Sequence, residues 1–62
     1  MKVFVSYSEN DTQFGNCIMD IDYMPQSNSD IRDMERTIRD TRYSHLSVVP
    51  YITILNIIPV NL

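Results

Sequence analysis

After Arg42 the chain carries no charged side chain, and the stretch that follows is the most apolar it has. Residues 48–58 are rich in Val, Ile, Leu and Tyr, types that suit a pleated surface, so they read as a β-strand. Pro50 and Pro59 punctuate the wider region 46–62, which is shorter than the roughly 20 apolar residues a helix needs to cross a bilayer. In strict alternation Ile52, Ile54 and Ile58 point one way while Tyr51, Leu55 and Ile57 point the other, so the strand is apolar on both faces. Both faces then need cover, and a chain of 62 residues has little to offer. Chains this short usually add disulfides, a metal or oligomerisation. Cys17 is the single cysteine and His45 the single imidazole, which excludes an internal disulfide and the usual zinc-ligand sets. Self-association remains, as a homodimer or larger assembly, and Tyr51, Ile52, Ile54, Leu55 and Ile57 are its expected interface.

The rest of the chain sets the fold class. Residues 2–8 alternate Val3, Val5 and Tyr7 with Phe4, Ser6 and Ser8, a strand pattern. Residues 9–16 are polar and hold the only glycine, Gly15, so a hairpin loop is expected there, with Gly15 supplying the reversal. Alternation returns over 17–23, with Cys17, Met19, Ile21 and Tyr23 opposite Ile18, Asp20 and Asp22. Pro25 ends that strand, and Ser27, Asn28 and Ser29 offer N-cap side chains for a helix over 29–42. Its stripe is Ile31, Met34 and Ile38, and Glu35–Arg39 and Arg36–Asp40 are placed to pair four residues apart. The expectation is a single α+β domain over residues 1–62, in the order ββαβ. A right-handed crossover returns the third strand beside the first, giving an antiparallel sheet of order 2-1-3 with one helix on one face.

A net charge of -3 argues against a general nucleic-acid binder. The opening residues do not read as a leader peptide, since Ser6, Ser8 and Asn10 break the apolar run, and with one free thiol they point to a cytoplasmic setting. The strongest ligand-binding candidate is the row Arg32, Arg36 and Arg39, which falls within about 60° on a helical wheel. Arginine forks recognise phosphates through paired hydrogen bonds. The Phe14-Gly15-Asn16 turn is a second candidate, and Tyr7, Tyr23 and Tyr51 are rings able to stack on a base. Asp20 and Asp22, sharing a strand face, read as solvated carboxylates rather than a metal site, and so do Glu9 and Asp11. Asn10-Asp11-Thr12 matches a glycosylation acceptor by chance. Ser6, Ser8 and His45 lack nucleophile-elbow spacing, and Cys17 sits on the apolar side of its strand. No enzyme and no cofactor are expected.

Two resemblances follow from these residues. Lys2-Val3-Phe4-Val5-Ser6-Tyr7-Ser8-Glu9-Asn10-Asp11 looks like the first conserved box of TIR domains. The likeness ends there, and the long, doubly wound TIR fold is not implied. Over most of the chain, the pattern FVSYS, Phe14-Gly15-Asn16, Asp30-Ile31 with Glu35 and Ile38, and an apolar strand near Leu55-Asn56 is similar to short phage and prophage ββαβ proteins. Some small phage proteins are anti-defence factors. The resemblance therefore implies a homo-oligomeric inhibitor in the host cytoplasm that binds a host defence protein or acts as a sponge for its nucleotide signal. The alternative is a structural module that oligomerises through its C-terminal strand.

Overall fold

The structure is a computed structural model that describes residues 1–60. Residues 61 and 62, the end of the expected domain, lie outside the described residues. The elements are β1 (Lys2–Glu9), β2 (Gln13–Asp20), α1 (Asn28–Arg42) and β3 (Ile52–Val60). The three strands form one sheet of order β2-β1-β3 in which both neighbouring pairs are antiparallel. This α+β arrangement with a single helix is the one the sequence pattern predicts.

The β1–β2 hairpin is tighter than expected. Glu9 pairs with Gln13, which leaves three loop residues. Asn10 and Asp11 have φ of 53° and 59°, and the Thr12 N–H donates to the Glu9 carbonyl at 3.1 Å. Two successive left-handed residues match the right-handed twist of the flanking strands, and Asn and Asp tolerate that conformation better than most side chains. Gly15 is thus not the reversal point. It lies inside β2 opposite Tyr7, its φ is not positive, and a Cβ built on it would come within 2.7 Å of the Tyr7 ring. β2 starts earlier and ends earlier than residues 17–23, so Ile21, Asp22 and Tyr23 follow the strand instead of completing it.

On α1, the Ser27 side chain accepts from the Asp30 N–H at 3.2 Å, while Asp30 Oδ2 accepts from the Gln26 N–H at 3.0 Å. The first bond satisfies a donor that the helix start leaves open, and the second fastens the residue before the cap to the first turn. Arg39 and Arg42 lie in the last turn, where positive charge suits the helix dipole. Met34 and Ile38 are buried against Val3, Val5 and Tyr7 of β1 and Ile52 of β3, and these six side chains are the core.

β3 departs from strict alternation. Ser6 pairs with Asn56 but the adjacent Tyr7 pairs with Ile54, so Leu55 is an extra residue, a β-bulge. One extra residue inverts the facing of everything after it. Ile57 therefore joins Ile52 and Ile54 on the helix side, and Ile58 turns to the other face opposite Phe4. The expected grouping of Ile58 with Ile52 and Ile54, and of Ile57 with Leu55, is corrected by this bulge.

Candidate functional site

Arg32, Arg36 and Arg39 line one shallow depression together with Glu35, Tyr51 and Ile52. The helix supplies the cations on successive turns, and the entry to β3 supplies the ring. Arg32 and Arg36 are exposed and Arg39 is half-buried. The expected pairs Glu35–Arg39 and Arg36–Asp40 are not formed among the described residues. Glu35 Oε2 instead accepts the Ile54 N–H at 2.9 Å, which ties the helix to β3, and Arg36 makes only a loose 4.0 Å contact with Asp33. Neither Arg32 nor Arg39 has an ion-pair partner among the described residues. Tyr51 is 64 % exposed, and its backbone is fixed on both sides: its N–H donates to Asn10 Oδ1 at 2.7 Å and its carbonyl accepts the Asn10 N–H at 2.8 Å. The depression thus offers three guanidiniums and a free aromatic face, with one carboxylate already engaged.

Phe14, Gly15 and Asn16 do not form a turn and do not act as one group. They are strand residues, with the Phe14 and Asn16 side chains on the face away from the helix and Gly15 on the helix side under Tyr7. Of the expected interface residues, Ile52 is 1 % exposed and belongs to the core, so it has no surface to present. Ile54 and Ile57 are half-buried against that core, whereas Tyr51 and Leu55 are exposed.

The uncovered sheet face is built from other residues. Ile18, Phe4 and Ile58 form a cross-strand row, with Ile18 49 % and Ile58 46 % exposed. Beside it runs the row Asn16, Ser6 and Asn56, and then Phe14, Ser8 and Thr53, where Phe14 is 81 % exposed. Alternation in residues 2–8 placed Phe4 on this face, but Ile58 joins it only through the bulge.

The outer edges of the two flanking strands differ. The Asn10 N–H bonds the Tyr51 carbonyl, and the Glu9 and Met1 carbonyls bond the Thr12 and Ile21 N–H groups. Even-numbered residues of β1 therefore turn their backbone groups to β3, and odd-numbered ones to β2. By the same alternation Ile52, Ile54, Ile57 and Pro59 face outward on β3. Ile54 donates to Glu35, Ile57 donates to Asn56 Oδ1 at 2.9 Å, and Pro59 has no N–H, so past Ile52 the outward donors of this edge are taken or missing. On β2 the outward residues are Phe14, Asn16 and Ile18, and no hydrogen bond of their backbone groups outside the sheet is present among the described residues.

Among the described residues, the acid–base and nucleophilic side chains singled out in the sequence lie at separate places. The Cys17 thiol lies in a groove with Thr37, Ile38, Thr41 and Arg42, where burial pushes its pKa up and Arg42 only partly offsets that. Asp20 is held below the usual carboxylate range by the Met1 ammonium 3.3 Å away, and further by Lys2. Asp22 lies beyond the end of β2 and does not share a strand face with it. His45 is exposed in the segment after α1, while Ser8 is buried within the sheet. Sequence reasoning missed one polar cluster. The Tyr43 hydroxyl donates to Glu9 Oε1 and stands 3.0 Å from the Tyr7 hydroxyl, with the two rings edge to face. Burial, and then the bond to Glu9, raise the Tyr43 pKa, so this hydroxyl stays protonated and acts as a tie between the hairpin and the end of α1. No protein-family model matches the chain, and no curated protein or solved structure is significantly similar to it.

Proposed function

We propose that the chain is a non-catalytic binding protein that works as an assembly of copies, and that its ligand is a nucleotide-type signal bound in the Arg32–Arg36–Arg39 depression. One observation carries this reading: three arginines and the exposed Tyr51 ring line the same surface. Guanidiniums grip phosphate oxygens, and a free ring stacks on a base. The setting we propose, a phage-derived inhibitor that withholds a signal from a host antiviral defence, draws its support from the likeness to short phage ββαβ proteins. Assembly is supported by Phe14, Ile18 and Ile58, which leave apolar surface on a sheet face that none of the described elements covers. A module that merely oligomerises through its C-terminal strand fits less well, because on the outer edge of β3 the Ile54 and Ile57 N–H groups are taken by Glu35 and Asn56 and Pro59 has none.

Calorimetric titration with cyclic dinucleotides and with ADP-ribose tests the ligand. Heat is expected with one of these classes, and the double variant Arg32→Ala/Arg36→Ala should abolish it while leaving the circular dichroism spectrum unchanged. No heat from any of them would overturn the sponge reading and leave a host defence protein as the target.

A further inference from the structure

We infer that two copies pair antiparallel along β2 in a single register, with Asn16 on the two-fold axis. The inference rests on the reading of the protein as an assembly and goes beyond it by naming the seam, which is not the C-terminal strand. Among the described residues β2 is the flanking strand whose outward donors and acceptors all stay free to pair, at Phe14, Asn16 and Ile18, whereas β3 has its Ile54 and Ile57 donors taken and none at Pro59. A two-fold centred on Asn16 sets Asn16 against itself and Phe14 against Ile18 of the second copy, twice. Apolar meets apolar, amide meets amide, and all three outward residues exchange backbone hydrogen bonds. The only charged residue of β2, Asp20, falls opposite Thr12 of the second copy, so no like charges meet.

Neighbouring registers are worse. Centring on Cys17 opposes Phe14 to Asp20 and Asn16 to Ile18. Centring on Gly15 opposes Phe14 to Asn16 and sends Ile18 to Thr12, outside the strand. The Asn16 register also continues the rows of the open face. Ile58, Phe4 and Ile18 of one copy run on into Phe14 of the other, and the polar row Asn56, Ser6 and Asn16 meets its own image. The result is a six-stranded sheet with both helices on one face.

Amide hydrogen exchange of the wild-type protein, followed by NMR at low and high concentration, tests the seam together with sedimentation of Asn16→Pro. Exchange at Phe14, Asn16 and Ile18 should slow by about tenfold or more as concentration rises, while Ile54, capped within its own chain, should not respond. The Asn16 N–H faces away from β1, so Asn16→Pro should fold and sediment as a single 7.3-kDa chain. An oligomeric wild type whose three amides do not slow overturns the seam and leaves assembly standing, as does a folded Asn16→Pro that stays dimeric. A wild type that is monomeric at every concentration overturns both. If Asn16→Pro fails to fold, the wild-type exchange pattern decides alone.

Discussion

Gly15 and Tyr7 face each other across the β1–β2 ladder, and the closeness of that pair makes one methyl group consequential. The Tyr7 ring is buried, and its hydroxyl meets Tyr43, so it has no free path away from a new Cβ. Gly15→Ala should lower the unfolding free energy by about 1–3 kcal/mol, the usual cost of overpacking, as read from urea denaturation. An unchanged midpoint would mean that the ring does not lie over Gly15. Tyr43 gives a second residue-level prediction. Its folded pKa is raised above the ordinary tyrosine value of about 10. The folded state therefore keeps the proton longer than the unfolded chain does. The stability this contributes is complete below about pH 10 and is lost as pH rises toward the folded pKa. Urea midpoints measured from pH 8 to 11.5 should fall less steeply for Tyr43→Phe than for the wild type, and parallel curves would contradict the assignment.

Element type and order were legible because each segment carries one clear period. Val3, Val5 and Tyr7 repeat every second residue, Ile31, Met34 and Ile38 at helical spacing, and both patterns survive in the structure. The hairpin was misread because Gly15 is a strong local turn signal, while Asn10 and Asp11 achieve positive φ as ordinary side chains. The face of Ile58 was illegible for a different reason: a bulge is set by pairing with β1, and nothing local at Leu55 marks it. At the site, the arginine row was legible from helical spacing, whereas its meeting with Tyr51 depends on the tertiary path of residues 43–51. The bulge makes its own prediction. Deleting Leu55 restores regular alternation and leaves Ile54, Asn56 and Ile57 on their present faces, so the variant should retain a cooperative urea transition. Deleting Cys17 from β2, which has no bulge to absorb the change, should abolish that transition, since a one-residue slip exchanges the two faces of the strand. Equal damage from the two deletions would argue against the bulge.

The described residues have a one-sided design, with one helix covering one face of three strands and a core of six buried apolar side chains. A core that small stabilises a chain weakly on its own. The face opposite the helix, with Ile18, Phe4, Ile58 and Phe14, keeps further apolar surface exposed, and pairing at the open β2 edge would extend that face rather than cover it. Closing that edge with a second copy would join two open faces into one continuous surface, and the two arginine depressions would lie on the far side with the helices. The most direct measurement of the central claim, a stoichiometric binding assembly, is native mass spectrometry of the protein taken gently from cells. The account predicts an even multiple of the 7.3-kDa chain, carrying a retained anionic small molecule that Arg32→Ala/Arg36→Ala removes. A bare single chain, with nothing bound, would contradict it.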